Sequence, residues 1–172
     1  MEDTGNYKAL KEKLLAAGID EIALHGVSGF SLRRVAAACG ASCAAPYKHF
    51  KNKEEFISAV IAFANEKWEH LGNQISECFA DPAQRVASLC VANVKFRIAN
   101  PLYGANQDTF DRRISDEIYS FCSRNDRSDA DSLFFGVMAL TLGAAAMIES
   151  GKLENCKKSY DMLYEKIKNT LE

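Results

Sequence analysis

A chain of 172 residues with 48% hydrophobic and 26% charged side chains is long enough to bury a core, and its composition excludes a disordered or membrane-bundle protein. No apolar run is expected to reach the roughly 18 to 20 residues that span a bilayer, and the polar start MEDTGNYKALKEK is no secretory signal, which implies a cytoplasmic address and no membrane partner. The net charge of -2 speaks against a nucleic-acid binder until its distribution is read: residues 1–53 hold eight basic against five acidic side chains, and the remainder thirteen against eighteen, so the front is basic and the back acidic.

Almost everything reads as helix. Three prolines and no bounded β-branched alternation make the expected class all-α. A first helix runs from about Tyr7 to His25 with Leu15, Ile19 and Ile22 on one face, Gly18 within it at a cost of about 1 kcal/mol against alanine, and Gly26 as its stop. Ser31 caps a short second helix, LRRVAAAC, with Leu32, Val35 and Ala36 inward and Gly40 at its end. Ser42 caps a third short helix reaching Phe50. Asn52 and Glu55 form a capping-box-like start for a long fourth helix from Lys53 to about Phe79. Its stripe reads Ile57, Ile61, Ala64, Trp68, Leu71 and Ile75, with Phe56, Val60 and Phe63 as a second face. Asp81-Pro82 opens a fifth helix to about Ala99, further segments span roughly Leu102 to Ser123, and two closing helices cover Ala130 to Ser150 and Glu154 to Leu171.

The six cysteines show no CxxC pair and read as small core fillers. Cys39, Cys43 and His49 are close in sequence, but a turn separates the thiols and a structural zinc wants four ligands, so no metal site and no cofactor are expected. The three histidines are far apart and no phosphate loop or triad context occurs, which argues against an enzyme.

Between residues 31 and 50, two short helices flank a turn. Ala36 is small where they cross, Gly40 tolerates positive φ in the turn, and Val35 and Pro46 fall inward. A helix of small residues followed by Tyr47, Lys48 and His49 has little to bury in a core, but its modest leading turn fits a major groove about 12 Å wide. The segment GFSLRRVAAACGASCAAPYKHFKNKEEF resembles the N-terminal domain of the TetR family of transcriptional repressors through Ser31, Ala36, Gly40, Ser42, Tyr47, His49, Phe50 and Lys53. It departs from that family's pattern at Ala41, where valine is usual, and at Cys43.

The resemblance implies a three-helix helix-turn-helix DNA-binding domain over residues 1–52 and a helical ligand-binding and dimerisation bundle over residues 53–172. It implies that Tyr47 and Lys53 meet DNA phosphates, with Ser31 and Arg33 as further phosphate contacts. Ser42, Cys43, Ala44 and Lys48 then face the groove, Lys48 able to donate to guanine, and His49 is divided between backbone contact and packing. FRIANPLY and LGAAAMIESGKL look like the WHG subtype of TetR C-terminal domains, with Ala139 and Leu142 replacing its tryptophan and histidine and Gly143 retained. The partners implied are a double-stranded DNA operator, a small-molecule inducer and a second copy of the chain. Pocket candidates are Trp68, Asn93, Phe96, Arg97, Tyr103, Phe110 and Met138. Candidates for the dimer interface are Phe134, Val137, Thr141, Ala145, Ile148, Tyr160, Leu163 and Ile167. The rival readings are a helical adaptor without DNA binding and a redox-sensing regulator acting through Cys43.

Overall fold

The computed structural model describes residues 2–100 and 108–172. Among these residues seven α-helices follow in order: α1 (Glu2–Gly29), α2 (Leu32–Ala38), α3 (Lys53–Cys78), α4 (Pro82–Ala99), α5 (Asp108–Arg124), α6 (Ala130–Glu149) and α7 (Lys157–Leu171), with a 3₁₀ turn at Pro46–Lys48 between α2 and α3. No strand occurs among the described residues. They divide into two compact units. One is built on α1, α2, the 3₁₀ turn and α3 to Lys67; the other takes the rest of α3 from Trp68, α4 to Ile98, and α5 to α7. The sequence reading put the boundary at the start of α3, whereas the division falls inside this helix because its first turns belong to the core of the first unit.

That core gathers Leu14, Leu15 and Ile22 of α1, Phe30, Leu32 and Val35 around the start of α2, Phe50, and Phe56 and Val60 of α3. Gly26 interrupts α1 with φ 66°, a left-handed conformation that favours glycine and turns the chain toward α2. Gly18 has a different reason to be glycine: a Cβ there would lie 2.6 Å from Phe56 Cε1 and 2.9 Å from Val60 Cγ2. The missing side chain lets α1 and α3 approach closely, which offsets the helix propensity that glycine forgoes.

At α3, Asn52 Oδ1 accepts from the Glu55 N–H at 2.8 Å, as a capping box requires. The Glu55 carboxylate reaches one residue further back than the motif prescribes, taking the Lys51 N–H at 2.7 Å. The deepest row of α3 is Phe56, Val60, Ala64, Trp68 and Gly72, while Ile57, Ile61, Leu71 and Ile75 of the expected stripe are only half-buried. Two neighbouring rows of this helix are equally periodic, and the close contact at Gly18 draws the Phe56 row inward.

In the second unit, Trp68 is enclosed between Phe96 and Phe110, with ring centroids 5.7 and 5.6 Å away. Ile114, Ile118, Val137 and Ile167 complete a core with no exposure. Asp81 caps α4 by accepting from Ala83 and Gln84. After α6, Gly151 takes φ 71°, and the N–H groups of Gly151 and Lys152 bond back to the carbonyls of Ile148 and Met147 at 3.0 and 2.8 Å, a Schellman closure. Contrary to the sequence expectation, α6 is long and apolar enough by composition to cross a bilayer, with a mean hydropathy of 1.7 and 33% of that stretch buried.

The Gly18 contact is open to test. Gly18→Ala gains helix propensity yet is expected to destabilise the protein by about 1–3 kcal/mol through overpacking, read as a lower midpoint in thermal or urea unfolding. A stabilised variant would refute the close approach.

Candidate nucleic-acid interface

The second helix is capped as its sequence requires: the Ser31 hydroxyl accepts from the Arg34 N–H at 3.5 Å, and Leu32, Val35 and Ala36 are buried. Gly40 follows with φ 65°. The expected third helix is instead a run of turns closed by the 3₁₀ segment. Pro46 has no N–H with which to close an α-helical bond to the Ser42 carbonyl. That carbonyl accepts from Ala45 at 2.9 Å, and the hydroxyl expected to cap the helix makes no cap bond. The carbonyl of Pro46 then receives both the His49 and Phe50 N–H groups, at 3.0 and 2.9 Å.

This tight segment sorts its side chains by face. Ala45, Pro46 and Phe50 turn inward. Ser42, Cys43, Ala44, Tyr47 and Lys48 are exposed, as is Arg33 on α2. Tyr47 is 61% exposed, so its phenol is available to a partner rather than to the core. His49 is half-buried, and its Nδ1 is buried without a hydrogen-bond partner. Burial, then the nearby Lys11 and Lys48 charges, hold its imidazole below the ordinary histidine pKa, which favours the neutral ring. Lys53 donates to the Val27 carbonyl at 3.0 Å and lies over the Phe30 ring, so part of its donor capacity is used within the chain. Ser31 is half-buried, with its N–H bonded to Glu21.

Three residues that hold this surface were not singled out from the sequence. The Tyr7 hydroxyl donates to the Lys48 carbonyl at 3.1 Å, and its ring lies 4.1 Å from that of His49, so α1 buttresses the turn from behind. Glu21, 7% exposed, accepts from the Ser31 N–H at 3.0 Å and from Arg34 Nε at 2.8 Å. Arg34 also donates to the Gly29 carbonyl. A carboxylate three residues after Gly18 and next to Ile22, on the apolar face of α1, was the signal available. Hydrogen bonding by Arg34, with the Ser31 N–H assisting, holds the Glu21 carboxyl below the usual glutamate range despite its burial.

The other sequence candidates sit in the second unit. Trp68, Asn93, Phe110 and Met138 are buried, and Phe96 is half-buried beside an apolar cleft. Arg97 pairs with Glu149 at 3.0 Å. Tyr103 lies outside the described residues. Among the dimer candidates, Val137, Thr141, Ala145, Ile148, Tyr160, Leu163 and Ile167 are covered by the chain's own helices, and Phe134 is half-buried. Thr141 satisfies its hydroxyl by donating to the Val137 carbonyl at 2.7 Å.

Residues 14–60, which contain this whole surface, match the family model of bacterial regulatory proteins, tetR family. Over these residues the chain is similar to the TetR family. Solved structures extend the likeness in fold through the C-terminal helices. A Rhodococcus sp. protein described as a TetR-family transcriptional regulator aligns at TM-score 0.67 and 18% identity, covering 95% of this chain and 98% of its own. AibR in complex with isovaleryl coenzyme A and operator DNA aligns at 0.61 and 18%, covering 95% and 96%. A Clostridium perfringens protein provisionally named a fatty acid metabolism regulator aligns at 0.60 and 18%, covering 92% and 97%. No curated protein matches the sequence. Residues 14–60 thus combine the match to tetR-family regulatory proteins with an exposed surface around Tyr47 and Lys48.

The role of Glu21 gives a signed pH prediction. Its lowered pKa contributes stability that is present above the unfolded carboxylate range and lost as pH falls through the folded value. Glu21→Gln is expected to cost about 2 kcal/mol at pH 7, discounted for the half-exposed Arg34. The gap from wild type should close in urea titrations repeated below about pH 4. A gap that stays constant with pH would mean the carboxylate charge is not involved.

Proposed function

We propose that the chain is a cytoplasmic repressor that binds a near-palindromic double-stranded operator as a homodimer and is released by a small-molecule inducer. The observation that carries this is the sorting of the reading segment. Ala45 and Pro46 anchor it from inside while Arg33, Ser42, Cys43, Ala44, Tyr47 and Lys48 stand outward. Tyr47, Arg33, Ser31 and Lys53 are assigned to phosphates, and Lys48 to a base edge, because an ammonium donates to guanine O6 and N7. His49 is assigned to the packing that holds Tyr47 and Lys48 in place.

Support for a second copy comes from α6 and α7. Phe135, Leu142 and Met147 of α6 and Met162 of α7 are exposed. Ala139, Gly143 and Met147 line an apolar groove of about 320 Å³ with Met162 and Leu163. With only 33% of its apolar stretch buried in the chain, α6 needs a further cover, and small residues allow a partner helix to approach. The buried candidates Val137, Thr141, Ala145, Ile148, Leu163 and Ile167 support this face from beneath. A two-fold dimer places two reading segments about 34 to 36 Å apart on one side of the duplex.

The inducer is assigned an acyl group. This rests on two similar folds, one bound to isovaleryl coenzyme A together with operator DNA and one named for fatty acid metabolism. The continuous helix α3 contributes Phe56 and Val60 to the first core and Trp68 to the second, so a ligand that prefers one setting of this helix shifts DNA affinity by that preference, typically about 1–3 kcal/mol.

Selection from a random DNA pool should return a near-palindrome, with affinity falling steeply as salt rises. On the winning sequence, Lys48→Ala is expected to cost about 1–3 kcal/mol and relax preference at one position per half-site, whereas Tyr47→Phe weakens all sequences alike. No enriched sequence and a flat salt response would sink the reading.

A further inference from the structure

The second unit contains a cleft of about 510 Å³ between the C-terminal half of α3, α4 and α7, within the range of small-molecule sites. Leu71, Phe79, Val91, Ala92 and Phe96 supply its apolar wall, and Ser88 and Tyr164 its hydroxyls. Among the described residues Lys95, which is exposed, is the one charged side chain lining it. Its ammonium lies 4.7 Å from the centroid of the Tyr160 ring, and it forms no salt bridge among the described residues. Elsewhere in this unit Arg85, Arg97, Arg113 and Arg127 are matched to Glu117, Glu149, Glu69 and Asp129, at 2.9, 3.0, 2.8 and 2.8 Å. A cation without a counter-ion at an apolar cleft is complementary to an apolar molecule that brings its own anion.

We propose that this cleft is the effector site, that it takes an acyl chain of medium length, and that Lys95 selects an anion at the end of that chain. The proposal rests on the ligand-released reading above and adds the place and the charge. The chain lies along Leu71, Val91, Ala92 and Phe96, burying apolar surface that water now covers. The anion draws the ammonium from the Tyr160 ring, exchanging a cation–π contact for a charge-assisted hydrogen bond. Leu71 of α3 and Phe79 just past its end place the C-terminal part of that helix in direct contact with the occupant, and Phe96 links the cleft to Trp68 of the same helix, 5.7 Å away.

Trp68 is the single tryptophan, so its fluorescence reports the cleft without a label. Decanoate below its micelle concentration, decanoyl coenzyme A, decanol and a decyltrimethylammonium salt are titrated into the full chain without DNA. At least one of the two anions should saturate about tenfold or more below decanol and the cation. Which of them does so identifies a free carboxylate or a carrier-borne anion as the partner of Lys95. Lys95→Gln should remove that preference while leaving decanol unchanged, Lys95→Arg should keep it, and Ala92→Phe should weaken all four ligands by filling the cleft. Equal binding of anion, alcohol and cation, or an anion preference that survives Lys95→Gln, would overturn the proposal. Because no DNA is present, those failures leave operator recognition untouched; an inducer that releases DNA equally from wild type and Lys95→Gln would refute this site alone.

Discussion

Glu21 brings a negative charge to the apolar side of α1, and much of the reading surface depends on how that charge is satisfied. Its carboxylate takes the Ser31 N–H that opens α2 and the guanidinium of Arg34 one turn later, so one buried group fixes both the position and the direction of α2. Gly40 and the 3₁₀ turn follow within a few residues. An error of one turn in α2 would therefore move Tyr47 and Lys48 by a comparable distance. A buried carboxylate is costly unless its oxygens are met, and here the partners that meet it are those that orient the exposed segment after α2.

The reading segment itself is held from two sides. Proline denies it a full α-helical bond pattern, and the bonds converging on the Pro46 carbonyl keep it compact. Tyr7 then packs on His49 and bonds the Lys48 backbone. The outward residues thus need no contacts of their own within the chain. The small residues Ser42, Cys43 and Ala44 stand outward, while Ala45, Pro46 and Phe50 provide the anchorage.

Helix α3 joins the two units through its own backbone. Its deepest row changes partners along its length, from Gly18 of α1 at Phe56 and Val60 to Phe96 and Phe110 at Trp68 and to Arg113 at Gly72. Close approach on glycine at either end leaves little slack for the helix to slide without repacking, because packed interiors respond by discrete rearrangement.

Local chemistry determined the helical class, the caps at Ser31, Asn52 and Asp81, the glycine turns at Gly26, Gly40 and Gly151, and the exposure of Tyr47 and Lys48, since each depends on neighbours a few residues away. The family of the reading unit was legible for the same reason: its pattern is short and contiguous. Tertiary contacts decided the rest. Which of two equally periodic rows of α3 lies deepest depends on Gly18, which lies far earlier in the chain than Phe56 and Val60 that it meets. Whether Val137, Thr141 and Ile167 face a partner or the chain's own core depends on how α6 and α7 lie against their neighbours. Periodicity marks a residue as apolar-facing, and only packing says which apolar surface it meets.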